Sequence, residues 1–239
     1  MTGAELCRTI VTMPLIRHPR QAEAVRTWLS TSSGRGLLQE AQRHWAGEPS
    51  DVGGQVMLQF VPLSDWAIPE THARFATVGR FHPLNGRWQG PWRSEEGLMP
   101  LSTASISRIE LRFVLESVQD SSRLLAECAR LLCPGGRLLV MGINPYGLAR
   151  LRWASAGVAA VSRRWVAREV AANGLEHMAS QVLGPRWAPP SGMALAPLRA
   201  NTSFGRVAWA FLAVRRDIGL TPLRSARQRW SAAPSVPAA

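Results

Sequence analysis

The strongest constraint on the fold is a buried apolar run that follows a glycine-rich turn. Residues 137–143 read Arg-Leu-Leu-Val-Met-Gly-Ile, which is typical of a strand covered on both faces in a parallel sheet. Before the turn Pro134-Gly135-Gly136, apolar residues at helical spacing predict a helix that ends at Leu132, with Asp120 and Ser121 as candidates for its cap. Earlier still, apolar and charged residues alternate over 109–113, which predicts a strand with one polar face. This order predicts a right-handed parallel βαβ unit.

The remaining elements are weaker, and they suit a single domain. The predicted elements are two helical pieces over 20–46, the second capped at Thr31-Ser32-Ser33, strands over 55–61, 74–78 and 206–214, and a helix over 165–172. Residues 80–100 contain too many glycines and prolines for a well-formed helix. We therefore expect an N-terminal extension over 1–19, one domain over 20–220 and a disordered tail over 221–239.

The positive charge of the chain is concentrated in its second half. The net charge is +12 and all 28 basic residues are arginine, a bias typical of a GC-rich genome. Residues 1–149 carry a net charge of +2, whereas residues 150–239 hold 13 arginines and 3 acids. This half could attract an anionic partner, or it could form a solvated basic surface. Within it, residues 148–165 combine arginine, tryptophan and small apolar residues, which suits either a membrane surface or a helix packed over the site.

Other residue types point to no further chemistry. The three cysteines lack metal-ligand spacing and are interpreted as ordinary thiols, and the five histidines show no metal-binding spacing, so no metal is predicted. No apolar run is long enough to span a bilayer, and residues 1–19 do not form a convincing signal peptide. We therefore predict a cytoplasmic protein.

The late half of the sequence resembles a known enzyme family. The similarity lies in Leu115-Glu116-Ser117, in the helix ending in Arg130-Leu131-Leu132-Cys133-Pro134-Gly135-Gly136, and in the strand after it. These segments are similar to class I S-adenosylmethionine-dependent methyltransferases of the methyltransferase type 11 kind. Gly142-Ile143-Asn144-Pro145-Tyr146 and Leu220-Thr221-Pro222 resemble segments of a proteobacterial subgroup of that family. The resemblance covers roughly residues 25 to 225 and is most specific over 98–148.

This resemblance implies a fold, a cofactor and a site. The implied fold is an α/β Rossmann-like sheet of seven mostly parallel strands, with an antiparallel late strand, helices on both faces and a reduced N-terminal half. The implied cofactor is S-adenosylmethionine, the implied activity is methyl transfer to a small or anionic acceptor, and no catalytic residue is assigned. The implied cofactor-binding residues are Gln59, Phe60, Val61, Gly79, Arg80, Leu98, Met99, Leu101, Arg112 and Phe113, and the implied substrate-binding residues are Asn144 and Tyr146. Asn144-Pro145-Tyr146 also resembles a catalytic Asn-Pro-Pro-Tyr motif, but its place after the fifth family strand favours a structural or substrate-facing loop.

The sequence also departs from the family where the cofactor would bind. The first strand lacks the glycine turn that lets a backbone approach the cofactor closely, and Arg80 stands near the place of the ribose-binding acid. Arg108, Glu110 and Arg112 put three charges on one face of a central strand. Either a covering helix is missing there, which we favour, or the side chains pair and line a pocket. The alternative function is an inactive methyltransferase-like protein that binds a partner through its arginine-rich C-terminal side.

Overall fold

A computed structural model describes residues 19–32, 34–36, 39, 56–66, 75–147, 160–183 and 206–216 of the chain. Three helices have full bounds, α1 (Pro19–Ser30), α2 (Ser121–Leu131) and α3 (Arg163–Ala172). The strands are β1 (Val56–Phe60), β2 (Thr77–Leu84), β3 (Arg87–Gln89), β4 (Ser94–Glu95), β5 (Ile106–Arg112), β6 (Leu132–Ile143), β7 (Leu175–Leu183) and β8 (Ala208–Arg215). The predicted N-terminal extension and tail, and most of segment 148–165, lie outside the described residues.

The strands form one mixed sheet with a parallel centre. Their order is β4-β3-β2-β1-β5-β6-β8-β7. Strands β2, β1, β5 and β6 run parallel, while β8 is antiparallel to both β6 and β7. At the opposite end, β2, β3 and β4 form an antiparallel meander. The predicted α/β class is confirmed, but the sheet has eight strands instead of seven and is antiparallel at both ends.

Helices cover both faces of the sheet, as the alternation of side chains along β6 requires. Leu138 and Val140 share a buried cluster with α2 and α3. Leu139 and Met141, on the opposite face, share a second cluster with α1. A strand packed on both faces has no polar side, which explains the apolar run that the sequence shows there.

The predicted βαβ unit is present as β5, α2 and β6. Asp120 is the N-cap of α2, because its carboxylate accepts a hydrogen bond from the Arg123 backbone N–H at 2.9 Å. The apolar face of α2 is buried and includes Leu124, Leu125 and Cys128. The cap, the helix and the parallel pairing of β5 with β6 all agree with the sequence prediction.

Two predicted boundaries were wrong, and one strand was not predicted. The second strand does not end at Gly79 but runs on to Leu84, where the hairpin residues Asn85 and Gly86 have positive φ values of 52° and 72°. Strand β6 begins at Leu132, before the predicted Pro-Gly-Gly turn, because Leu132 pairs with Ile106 ahead of an irregularity in the register. Strand β7 was missed because six consecutive exposed residues hide the alternation that marks a strand.

Smaller predictions in the N-terminal part agree with the structure. Thr31 begins the second helical piece, since its hydroxyl oxygen accepts a hydrogen bond from the Gly34 backbone N–H at 3.2 Å. Residues 33, 37, 38 and 40–46 of that predicted piece lie outside the described residues. Segment 80–100 has no helix among its described residues and instead contributes β3 and β4.

Candidate functional site

The carboxyl ends of the parallel strands define the candidate site. From β1 the chain continues to β2 on one side, and β5 pairs with β1 on the other side. The strand order therefore reverses direction at β1, and crevices at such reversals are where open α/β sheets bind their ligands. Of the predicted cofactor residues, those at the ends of β1 and β5 lie at this edge: Phe60, Val61, Arg112 and Phe113. Gly79 and Arg80 lie within β2, paired with Leu58 and Gln59 of β1.

Aromatic packing fills the edge at the ends of β1 and β5. Phe60 and Val61 are buried, and the Val61 backbone N–H donates to the Phe81 carbonyl oxygen at 2.9 Å. The Trp66 ring stacks on the Phe113 ring with 6.3 Å between centroids, and Trp66 is only 8% exposed. Bulky side chains therefore occupy the region where the family has a glycine turn.

The part of β2 that pairs with β1 carries a glycine and an arginine. Gly79 lies against Leu58, whose Cδ2 atom would be 3.1 Å from a Cβ added at Gly79. Arg80 is exposed and donates through Nη1 to the Trp66 carbonyl oxygen at 3.2 Å. Arg80 is thus joined to the loop after β1, and its guanidinium is a donor where the family's ribose-binding acid is an acceptor.

The three charged residues of β5 are buried and paired. Glu110 is 1% exposed, Arg112 is 4% exposed and Arg108 is 7% exposed. Arg108 Nε donates to Glu110 Oε1 at 2.9 Å, while Arg112 donates to Glu110 Oε2 through Nε at 2.9 Å and through Nη2 at 2.6 Å. Gln59 on β1 adds a donor to Glu110 Oε2 at 3.3 Å. The favoured interpretation, a missing cover over this face, was therefore wrong, because pairing keeps the charges buried.

Two features set the end of β5 apart. Arg112 Nη1 is buried and has no hydrogen-bond partner among the described residues. The next residue, Phe113, has a φ of 54°, a left-handed conformation that a bulky residue rarely adopts. Such outliers persist where the surrounding structure holds them, and they often mark functional sites.

The predicted residues Leu98, Met99 and Leu101 lie along α2 instead of at the end of β5. The Met99 backbone N–H donates to Glu127 Oε1 at 2.7 Å, and Arg130 donates to the carbonyl oxygens of Met99 and Leu101 at 3.2 and 3.0 Å. Glu127 and Arg130 are in the second half of α2, about 9 Å or more along the helix from its first residue at 1.5 Å per residue. Leu98 is exposed. The structure thus does not bring these three residues to the end of β5.

The two predicted substrate residues differ from each other. The Asn144 side chain is buried, donating through Nδ2 to the Arg206 carbonyl oxygen at 2.8 Å and accepting from the Tyr146 backbone N–H at 3.1 Å. Asn144 therefore shapes the loop after β6. Tyr146 is 65% exposed and available for contact.

Glu116 was not predicted as a site residue, although it was quoted within the family resemblance. It is fully buried, and its Oε1 accepts a hydrogen bond from the Ile143 backbone N–H at 2.7 Å. The bond extends the link between β5 and β6 beyond Arg112 and Met141, where their strand pairing ends. Its position within the turn that follows β5 is the signal that could have identified it.

The structure adds no metal or membrane feature in its described part. No group of three or more histidine, cysteine or acidic side chains there is arranged to hold a metal ion. None of the described helices is long and apolar enough to cross a membrane. Burial raises the pKa of the Cys128 thiol, which makes this cysteine unreactive at neutral pH.

Comparisons with known proteins agree with this geometry. Residues 91–140, from the end of the meander to the middle of β6, match the family model described as a methyltransferase domain. A chain from the complex that contains the Haloferax volcanii Trm112 methyltransferase activator aligns with a TM-score of 0.51 at 11% identity, over 82% of this chain and 98% of that chain. The chain has the class I methyltransferase fold.

A second solved structure supports the same fold. The SAM-dependent methyltransferase from Aquifex aeolicus aligns with a TM-score of 0.50 at 11% identity, over 83% of this chain and 99% of that chain. No curated protein sequence matches the chain. The predicted resemblance to class I methyltransferases is therefore confirmed, and the departures from the methyltransferase pattern lie at the edge where the donor would bind.

Proposed function

We propose that the protein is an S-adenosylmethionine-dependent methyltransferase that acts on a small or anionic acceptor. The observation that carries the proposal is the reversal of strand order at β1, which brings the carboxyl ends of β2, β1, β5 and β6 to one edge of a methyltransferase sheet. Methyl transfer in this fold depends mainly on holding two reactants in line, so the activity does not need a general base. Tyr146, exposed after β6, is available to the acceptor.

The residues at this edge fit the donor at one end only. S-adenosylmethionine carries a carboxylate at its methionine end, and the buried Arg112 Nη1 offers a donor for such a group. At the ribose end, Arg80 replaces the acid, and Trp66 packs on Phe113 next to the glycine-free turn. The ribose end therefore does not fit the mode of binding used in the family. When bound, the donor would supply the methyl group, while this chain supplies the crevice and the polar contacts.

Calorimetric titration tests the proposal directly. Titration with S-adenosylmethionine and with S-adenosylhomocysteine should each give binding heat. S-adenosylhomocysteine, the product of the donor, should compete with S-adenosylmethionine for the same site. A matched control is Arg87→Gln, which removes an exposed charge on β3 and should bind both ligands as the wild type does. Absence of heat for both ligands at about millimolar concentration, equivalent to a binding free energy weaker than about −4 kcal/mol, would contradict the proposal.

A second function is favoured by the aromatic packing at the edge. In this alternative the protein keeps the methyltransferase scaffold, does not transfer methyl groups, and holds an anionic partner through its C-terminal side. The stacked rings of Trp66 and Phe113 favour it, because they lie at the edge where the family resemblance implies a glycine turn beside the cofactor. On the C-terminal side, α3 presents Arg163, Arg164 and Arg168 to solvent.

Heparin binding separates this alternative from the enzyme. Retention of the wild type on a heparin column should fall steeply with salt, since screening weakens attraction between exposed charges. Replacing Arg163, Arg164 and Arg168 by glutamine should reduce retention, whereas a matched triple replacement of Arg87, Arg93 and Arg123, which are exposed outside α3, should reduce it less. Equal losses in the two triple variants would show general charge attraction and contradict a specific surface on α3.

A further inference from the structure

The charges buried on β5 do not balance. Two arginines, Arg108 and Arg112, share the single carboxylate of Glu110, and all three side chains are more than nine-tenths buried. An arginine guanidinium is a cation in proteins. The trio therefore carries an excess of one positive charge, and an uncompensated buried charge is strongly destabilising. An anion placed against the trio would remove that excess.

The unused hydrogen-bonding capacity lies on Arg112. Its Nε and Nη2 atoms face Glu110, so one edge of the guanidinium is committed to the carboxylate. Nη1, at the far corner of the same plane, has no partner among the described residues. A guanidinium presents its donors as a rigid fork that matches the two oxygens of a carboxylate or phosphate. The edge formed by Nη1 and Nη2 is thus shaped for one oxyanion.

The position of Arg112 makes this edge relevant to ligands. Arg112 is the last residue of β5, next to the reversal of strand order at β1, and it precedes the left-handed Phe113. Arg108, near the middle of the strand, adds charge behind it and is held in place by Glu110. The trio therefore holds the unpartnered Nη1 of Arg112 on the last residue of β5, beside the ligand-binding edge of the sheet.

We propose that Arg112, with Arg108 beside it, forms a binding site for one oxyanion, a carboxylate or phosphate group, at the carboxyl end of β5. The anion is either the methionine carboxylate of the donor or the acidic group of another small molecule. The first of these rests on the proposed function, which the site then deepens. Glu110 is a positioning residue in this site, since it fixes the plane of the Arg112 guanidinium.

Thermal shift and calorimetry with four probes test the site. The probes are inorganic phosphate, acetate, S-adenosylhomocysteine and 5′-methylthioadenosine, which lacks the amino-acid end of the donor. Each is compared with chloride at equal ionic strength, because nonspecific screening must be held constant. The variants are wild type, Arg112→Gln and the matched control Arg87→Gln, with Arg112→Lys replacing Arg112→Gln if the latter does not fold. Lysine keeps the positive charge but lacks the planar pair of N–H donors that a guanidinium presents to an oxyanion.

Two results support the site and identify its source. If phosphate or acetate raises the melting temperature of wild type and Arg87→Gln but not of the Arg112 variant, the anion is a free acidic group. If S-adenosylhomocysteine binds, 5′-methylthioadenosine binds at least about tenfold more weakly, and the Arg112 variant loses a similar factor, the anion is the methionine carboxylate.

Other results overturn the site. If no probe raises the melting temperature of the wild type above its value in chloride, and none gives binding heat, Arg112 has only a structural role. If S-adenosylhomocysteine binds wild type and the Arg112 variant equally and phosphate and acetate have no effect, the oxyanion site is wrong while the methyltransferase proposal stands. The converse pattern, in which phosphate binds through Arg112 and neither donor compound binds, keeps the site and removes the methyltransferase proposal.

Discussion

Arg215 Nη1 lies 2.7 Å from the carbonyl oxygen of Leu132, at the point where α2 passes into β6. The same nitrogen is within 3.1 Å of the Ala129 carbonyl oxygen and 3.3 Å of the Arg130 carbonyl oxygen. The last carbonyls of a helix have no partners within it, and a positive charge there also interacts favourably with the helix dipole. The final residue of β8 therefore caps the C-terminal end of α2, at a residue 83 positions earlier in the chain. This contact joins the late strand to the βαβ unit.

Replacing Arg215 by glutamine should destabilise the domain by about 1–3 kcal/mol, since hydrogen bonds to charged groups contribute that much. Urea unfolding measures the loss. Arg216→Gln is the matched control: Arg216 pairs with Glu176 in solvent, with both side chains more than half exposed, so its loss should change stability by less than about 1 kcal/mol. Equal effects of the two substitutions would contradict the capping role.

Gly142→Ala should be strongly destabilising, because Gly142 on β6 lies beneath Trp209. An added Cβ would be 2.3 Å from Trp209 Cζ2 and 2.9 Å from Glu116 Oε1. The indole cannot move freely, since its Nε1 donates to the Ile143 and Val161 carbonyl oxygens at 3.0 and 3.1 Å. Overpacking of this kind costs about 1–3 kcal/mol or more, measurable by urea unfolding.

Gly36→Ala is the control for that substitution. Gly36 is helical, and an added Cβ would meet nothing within 4 Å. Because alanine favours helix over glycine by about 1 kcal/mol, this substitution should be neutral or stabilising. A similar loss for both alanine variants would show that backbone freedom, and not the contact with Trp209, explains the effect at Gly142.

The sequence predicted the fold best where local and long-range requirements agree. The helix α2 has a cap and an apolar stripe, and β6 is apolar on both faces beyond Arg137, so each element could be recognised alone. The meander β2-β3-β4 was not predicted, because the end of β2 depends on pairing with β3 across Asn85 and Gly86. Strand β7 depends likewise on its pairing with β8, which no local pattern reveals.

The candidate site was only partly predictable. That β5 carries charges on one face was visible in the sequence, but whether these residues pair depends on side-chain geometry across Glu110. The stacking of Trp66 on Phe113 joins residues 47 positions apart, and no spacing rule connects them. Met99 was expected near the donor, but its backbone bonds to Glu127 and Arg130 hold it along α2. Family resemblance supplies a position in the chain and cannot supply such contacts.

Asp120→Ala should destabilise the domain by about 0.5–2 kcal/mol, because it removes the acceptor for the Arg123 backbone N–H at the start of α2. Asp120→Asn keeps an oxygen in that position and should retain most of the stability. Urea unfolding of both variants checks the prediction. If asparagine costs as much as alanine, the carboxylate acts through its charge instead of through the cap.

Glu127→Gln should lower stability at neutral pH and lose that effect in acid. Burial alone would raise the pKa of Glu127, but hydrogen bonds from Arg130 and the Met99 backbone N–H outweigh it and lower the pKa from its ordinary value of 4.5. Since the folded pKa lies below the unfolded one, the charged form stabilises the fold above about pH 4.5 and this contribution disappears as the pH falls through the folded pKa. The wild type should therefore be more stable than the variant by about 1–3 kcal/mol at pH 7. This difference in the free energy of unfolding should narrow as the pH falls below about 4.5. Urea unfolding of both proteins at a series of pH values measures the difference, and a difference that stayed constant into acid would show that the carboxylate charge contributes nothing.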